Sequence, residues 1–366
     1  MGIPTRSQGV WGMTAIRRRA AVALWAAGAL ALTAGCGAGG GSAAAGQEGA
    51  KPVTLRLGYF PNVTHATPIV GVEKGLFADA LGGDVELKTS TFNAGPAAIE
   101  ALFSGAIDAT YIGPNPTVNG FVESQGDAVR VISGAASGGA ALVVRDGIDS
   151  PADLKGTTLA TPQLGNTQDV ALRYWLSRQG LPSTLEGGGD VKIAPQENAQ
   201  ILDAFAAGAI DGAWVPEPNV TRLVEAGGKV LVDERSLWPD GQFVTTNLIV
   251  NPKYLSEHRD VVKKLLAGQV AATEYLNDDT AEAQRVVGEA IAKLSGKPLP
   301  EGVIGKAWKN ITFTDDPEPS SLLAGAKHAA EVGTLEGGVP DLDGLYDLSL
   351  LNEVLAAKGL PKVKQP

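Results

Sequence analysis

The sequence predicts an α/β protein of two similar lobes, with mostly parallel sheets covered by helices on both faces and a helical C-terminal tail. Three observations predict it. From Val53 onward, strand-like and helix-like segments alternate with short connections, the pattern of a parallel sheet with helices on its faces. The phrase Gly-Ala-Ile-Asp occurs twice, at Gly105–Asp108 and again 103 residues later at Gly208–Asp211. After Phe243 one more strand is followed only by helices.

The elements follow in order. Val53–Phe60 alternates and is rich in strand formers, so it reads as a strand. Ala66–Phe77 reads as a helix ending near Gly75, and Asp84–Phe92 as a second strand. Gly95–Gly105 is a helix with Pro96 in its first turn and a glycine at its end, the favoured positions for both residues. Ile107–Gly113 is a third strand, Pro116–Gly126 a helix and Ala128–Ser137 a strand. The pattern then restarts: a short capped helix at Ser150–Gly156, a strand at Thr157–Pro162, and a helix at Asn166–Gly180. Asp190–Ala194 is a strand, Pro195–Gly208 a helix and Ile210–Val215 a strand. Phe243–Val250 is the last strand. Helices follow at Arg259–Asn277, Thr280–Gly296, Pro319–Gly333 and Leu348–Gly359.

The repeated phrase thus marks one unit twice: helix, glycine, then a strand beginning Ile-Asp. Helix–Gly–strand is common, so convergence is the alternative, but two similar lobes with the unit in an equivalent place is the reading the pattern favours. Two copies this far apart are no solenoid. A strand and helical tail after Phe243 return the chain to its first lobe. Lobe 1 is expected at 53–145 plus 243–366 and lobe 2 at 146–242, with crossings near Val144–Ser150 and Leu237–Phe243.

The N-terminus reads as an export signal over residues 1–35. Arg17, Arg18 and Arg19 precede an apolar run, Ala20–Leu32. Leu32–Cys36 resembles a bacterial lipobox, with Thr33 where leucine is usual. Cys36, the sole cysteine of the chain, is the expected lipidation site; no internal disulfide is possible. Residues 36–52 are rich in Gly, Ala and Ser and read as a flexible tether. The expected location is the extracytoplasmic face of the cell membrane.

The chain of 366 residues carries a net charge of −10, and residues 1–35 hold four Arg and no acid. A mature chain from Cys36 would therefore stand at −14. That balance argues against nucleic acid. His65, His258 and His328 are far apart without metal-ligand spacing. No Walker A loop or G-x-S-x-G elbow is present. Neither an enzyme nor a cofactor or metal is expected.

In open α/β sheets, ligands bind beyond the carboxyl ends of strands. The loops there are Pro61–Pro68, Asn93–Pro96, Gly113–Pro116, Pro162–Gln168 and Pro216–Asn219. Glycine brings a ligand close to main-chain N–H groups, and helix N-termini favour anions. The alternative is that these Asn, Thr and Pro residues only cap helices. Asp108 and Asp211 start their strands, at the end away from such a site, and read as structural. Trp214 and Tyr111 are candidate pocket walls or core aromatics. Glu217 is a candidate contact for a cationic ligand group, or a hinge acid.

The stretches Leu55–Phe77, Thr91–Pro116 and Ala213–Glu234 together resemble solute-binding proteins of ABC importers, of the aliphatic sulfonate, taurine and nitrate binding type. The resemblance implies a two-lobed periplasmic-binding-protein-like fold (type II) with a ligand trapped between the lobes. It implies a permease and its ATPase as partners, a membrane attachment through the lipid anchor, and a monomer. Carried over position by position, the pocket comprises Asn62, His65, Asn93, Gly95, Gly113, Asn115, Ser137, Gly138, Gln163, Asn166, Thr167, Trp214 and Glu217. No Lys or Arg stands in these loops, which favours a sulfonate over nitrate or bicarbonate. A thiamine-pyrimidine synthase would share the lobes but use reactive His and Cys residues. A sensor subunit would use the same pocket.

Overall fold

The computed structural model describes residues 52–366. The signal segment, Cys36 and most of the tether lie outside the described residues.

The first half runs β1 (Val53–Tyr59), α1 (Ala66–Glu73), α2 (Leu76–Leu81), β2 (Val85–Thr91), α3 (Gly95–Phe103), β3 (Ala109–Ile112), α4 (Pro114–Glu123) and β4 (Arg130–Gly138). Then come β5 (Ala140–Val144), β6 (Thr158–Pro162), α5 (Thr167–Arg178), β7 (Lys192–Gln196), α6 (Asn198–Ala206), β8 (Gly212–Pro216), α7 (Asn219–Glu225) and β9 (Lys229–Asp233). The chain ends with β10 (Val244–Val250), α8 (Pro252–Glu257), α9 (Arg259–Asp278), α10 (Thr280–Ser295), α11 (Val303–Trp308), β11 (Ile311–Phe313), α12 (Pro319–Glu331) and α13 (Ser349–Ala357).

The strands form two sheets, in the orders β11-β4-β10-β3-β1-β2 and β7-β6-β8-β5-β9. The two Gly-Ala-Ile-Asp phrases therefore feed different sheets, at β3 and β8. Their surroundings match bond for bond. Asp108 Oδ2 accepts the Arg56 N–H at 2.8 Å, and Asp211 Oδ2 accepts the Thr158 N–H at 2.8 Å. Gly105 and Gly208, each just past a helix, have φ of 70° and 74°, where glycine carries no Cβ penalty.

The sheets are mixed rather than mostly parallel. β1 runs parallel to β2 and β3, and β6 parallel to β7 and β8. β10 lies antiparallel between β3 and β4, and β5 antiparallel between β8 and β9. Each sheet thus takes one central strand that arrives from the other sheet. Both strands are buried at every residue, as a central strand covered on both faces must be.

This exchange corrects the expected boundary at residue 145. β5 belongs to the second sheet, so the first crossing is at Gly138–Gly139 and not Val144–Ser150. Both glycines sit at positive φ, 78° and 76°, which turns the chain out of β4 and straight into β5. A Cβ on Gly139 would meet Ile311 Cγ1 at 2.5 Å. The chain returns after β9, through short helical turns at Glu234–Leu237 and Pro239–Gly241, into β10.

Four apolar clusters cover the sheet faces. In the first sheet α1, α2, α9, α10 and α13 cover one face, and α3, α4 and α12 the other. In the second sheet α5 covers one face and α6 with α7 the other.

Candidate functional site

The carboxyl ends of β1, β3, β6, β7 and β8 meet at one edge, where the two sheets face each other. A cavity of about 20 Å³ lies there, with room for a water-sized group. The first sheet contributes Phe60, Asn62, Thr64 and His65 after β1, Gly113 after β3 and Thr245 from β10. The second contributes Asn166, Thr167 and Gln168 at the start of α5, Asn198 at the start of α6, and Pro216.

Local chemistry places each group. Pro114 at the first position of α4 is pre-set for a helix start. Gly113 before it is required by the close approach of the two halves: a Cβ there would lie 2.5 Å from Thr167 Oγ1. The loop ahead of α5 is held from beneath by wholly buried Asp169. Its Oδ1 accepts from the Thr161 hydroxyl at 2.8 Å, and its Oδ2 from Gly165 N–H at 3.0 Å and Arg173 Nε at 2.9 Å.

The lining is polar and neutral, without Lys or Arg. His65 stacks on Phe60, ring centroids 4.4 Å apart. Its Nδ1 accepts the Phe60 N–H at 3.3 Å, which leaves the proton on Nε2 as a donor. Burial pushes its pKa down to about 3, so the ring is neutral. Thr167 Oγ1 and Asn198 Oδ1 are buried with no hydrogen-bond partner, and buried polar atoms are ordinarily paired. The Asn166, Gly113, Ala94 and Glu197 positions preceding α5, α4, α3 and α6 make no side-chain cap bond. The first-turn N–H groups of a helix have no partner within it. Asn166 and Glu197, whose side chains could cap, therefore leave α5 and α6 uncapped.

The structure brings together Asn62, His65, Gly113, Asn166 and Thr167 from the expected set. The others lie elsewhere. Asn93 sits at the rim: its Nδ2 donates to Glu197 at 3.3 Å and its carbonyl accepts from Asn198 Nδ2 at 3.0 Å. Gly95 packs under the site, where a Cβ would strike Pro116 at 2.2 Å. Asn115 donates to the Gly325 carbonyl at 3.1 Å. Ser137 and Gly138 belong to the crossing, Ser137 donating to the Phe243 carbonyl at 3.1 Å. Gln163 is half-buried on the loop before α5 and outside the cavity lining.

Trp214 is not a wall but core: wholly buried, its indole N–H donates to Glu234 Oε2 at 2.7 Å. A strand alternates its faces, and Trp214 points to the side covered by α5. Tyr111 is likewise core, its hydroxyl bonded to Gln269. Glu217 accepts from Thr221 and from Asn310 Nδ2 at 2.7 Å and lines a separate space beside Gly139. Its side chain therefore lies beside the crossing and outside the lining of the cavity above.

Asn198 was missed in the sequence reading, although a signal for it exists. The helices α3 and α6 begin at Gly95 and Asn198, 103 residues apart, the same interval that separates the repeated phrases. Phe60, Thr64, Gln168, Pro216 and Thr245 also complete the lining. Among the described residues, no group of three His, Cys, Asp or Glu side chains could hold a metal, and no helix is long and apolar enough to cross a membrane.

Residues 48–292 match the NMT1-like family. The taurine-binding periplasmic protein of Escherichia coli (strain K12) is 27% identical over 293 residues, covering 78% of this chain and 86% of that protein. Among solved structures, the alkanesulfonate-binding protein from Xanthomonas axonopodis pv. citri superposes with a TM-score of 0.65 at 20% identity, over 81% of this chain and 99% of that one. The periplasmic nitrate-binding protein from Synechocystis PCC 6803 gives 0.72 at 16% identity, over 85% and 90%. The chain belongs to the NMT1-like family and shares its two-sheet fold with sulfonate- and nitrate-binding proteins.

Proposed function

We propose that this protein is the extracytoplasmic solute-binding component of an ABC importer. It captures a small sulfonate between its two lobes and delivers it to a membrane permease driven by an ATPase. Lipidation at Cys36 and the tether would keep it at the membrane surface. One lobe comprises the first sheet with its helices, the other the second sheet. They close about Gly138–Gly139 and the return segment before β10.

One observation carries the reading. The cavity between the sheets presents neutral donors, among them Thr167 Oγ1 without a partner, and uncapped helix N-termini that supply partial positive charge. Donors of this kind bind an oxyanion without a counter-charge. A ligand gains from closure only through contacts that exist in the closed state, and here those contacts come from both lobes.

Thermal shift with taurine, ethanesulfonate, nitrate, bicarbonate and a pyrimidine tests the proposal. A ligand at 100 times its Kd adds about 2.7 kcal/mol of stability. The expected result is a clear rise in Tm with sulfonates and little with the others. A rise with nitrate or bicarbonate alone would replace the ligand, and a rise with the pyrimidine alone would replace the function.

A further inference from the structure

Two segments carry the chain between the sheets, and the side chain of Ser137 bonds them to each other. Ser137 directly precedes the Gly138–Gly139 crossing, and Phe243 directly precedes β10 at the end of the return. Ser137 Oγ accepts the Phe243 N–H at 3.2 Å and lies 3.1 Å from the Phe243 carbonyl oxygen. A third neighbour, Glu318 Oε2, is 3.0 Å away. The crossing is also joined to the cavity between the sheets: the Thr245 hydroxyl, from that lining, donates to the Gly138 carbonyl.

While Glu318 is ionised, the hydrogens do not suffice for this arrangement. A hydroxyl has a single hydrogen to give and two lone pairs to accept with. The carboxylate and the Phe243 carbonyl then compete for that hydrogen, and the charged acceptor wins. The carbonyl keeps only its bond from the Gly138 N–H at 3.0 Å. A neutral Glu318 reverses the direction. It donates to Ser137 Oγ, and the Ser137 hydroxyl is free to donate to the Phe243 carbonyl. Every contact is then a hydrogen bond, and Ser137 fastens both the N–H and the carbonyl of Phe243.

Glu318 is held in place for this contact. Its φ of 45° and ψ of 61° are left-handed, a conformation that a long side chain keeps only where the surroundings fix it. Its N–H donates to Asp316 Oδ1 at 2.8 Å, and its carbonyl accepts from the Ser321 N–H at 3.0 Å and hydroxyl at 2.9 Å. Ser321 Oγ in turn accepts the Val244 N–H at 2.9 Å. Burial pushes the Glu318 pKa up to about 7, opposed by the bond to Ser137 and aided by the charge of Asp316. The neighbouring residues of β4 and β10 are uncharged. On the return segment Arg235 lies beside Gly138, paired with Asp233 at 2.7 Å.

We propose that Glu318 is a positioning residue for lobe closure, whose proton sets, through Ser137, how firmly the two crossings are tied. The consequence for the solute rests on the reading of the cleft as the solute site. The neutral acid favours the arrangement seen here, with residues of both lobes around one cavity. What closure gains from the proton it returns as proton affinity. Solute binding therefore takes up a proton, and affinity rises as the pH falls through about 7.

Calorimetric titration of the full chain with ethanesulfonate, which has no group that titrates between pH 6 and pH 8, tests this. Wild type is expected to bind about fivefold more tightly at pH 6 than at pH 8, the scale of one hydrogen bond. Glu318→Gln, whose amide donates to Ser137 at either pH, is expected to hold the tighter value at both. Ser137→Ala is expected to flatten the profile although Glu318 still titrates. Equal affinities at the two pH values in wild type overturn the inference. A wild-type profile retained in Glu318→Gln also overturns it and assigns the proton to Glu234, another carboxyl group that burial pushes up to about 7. Scattering from the chain without solute decides the case in which ethanesulfonate does not bind. Wild type more compact at pH 6 than at pH 8, with Glu318→Gln compact at both, then leaves the hinge standing and removes only the sulfonate reading; equal radii overturn the hinge as well.

Discussion

The two edges of the sheets are built from similar residues and do opposite things with them. At the edge away from the cleft, polar side chains are spent on the protein's own backbone and charges. Asp108 accepts from the Arg56 N–H and from its guanidinium at 2.9 Å. Asp211 accepts from the Thr158 N–H, and Asn251 caps α8 by accepting from Lys253 and Tyr254 N–H groups. At the cleft edge the helices start without such caps, Thr167 and Asn198 keep buried atoms unpaired, and His65 is buried uncharged. The difference teaches where stability and function are separated in this fold. One edge spends its polar groups on its own backbone, and the other holds them for a ligand.

The comparison breaks most readily at Asp108, where the largest effect is expected. Asp108→Ala strands the Arg56 N–H and removes charge-assisted bonds, for a cost of about 2 kcal/mol. Urea unfolding is expected to report that loss while the affinity of the cleft for its solute stays unchanged. A fall in affinity with no fall in stability would place Asp108 on the wrong side of the division.

Much of this was readable before any coordinates. The repeated phrase located both β3 and β8 because the helix–glycine–strand unit is local, set by the positive φ of Gly105 and Gly208 and by strand alternation. Asn62, His65, Gly113, Asn166 and Thr167 were legible because each lies in, or at the helix start that ends, a loop after the carboxyl end of a strand. The rest depends on long-range pairing. β5 was missed because Ala140–Val144 follows β4 with one intervening residue, and only its partner strands reveal that Gly138–Gly139 separates two sheets. Trp214 was assigned to the pocket because its place along β8 is right; which face it takes is fixed by packing against α5. Thr245 lines the site from an antiparallel strand whose neighbours lie more than a hundred residues away in sequence, so no local signal marks it.

A smaller effect concerns His65 and acid. Its pKa is about 3 in the fold against an ordinary 6.5. Between those values the unfolded chain takes up a proton that the folded chain refuses. The contribution to stability is therefore complete above pH 6.5 and shrinks as the pH falls toward 3. At pH 5.5 it has fallen by about 1.4 kcal/mol. His65→Gln, which cannot titrate, is expected to lose that much less between pH 7.5 and 5.5 than the wild type in urea unfolding. Identical losses would mean that the ring takes up its proton while folded.

The smallest expected effect draws the division most sharply. Thr167→Val keeps the shape of the side chain and removes a hydroxyl that has no partner within the protein. Removing an unpaired buried polar group costs the fold nothing and can stabilise it, so the urea midpoint should hold or rise. A hydroxyl that donates to a bound oxyanion is worth about 1 kcal/mol, so affinity for the solute should fall about fivefold. The same substitution at a cap on the opposite edge, where the side chain already serves the backbone, would lower stability and leave binding alone. A loss of stability in Thr167→Val with affinity intact would show that the hydroxyl serves the fold, and the contrast between the two edges would then fail at its central residue.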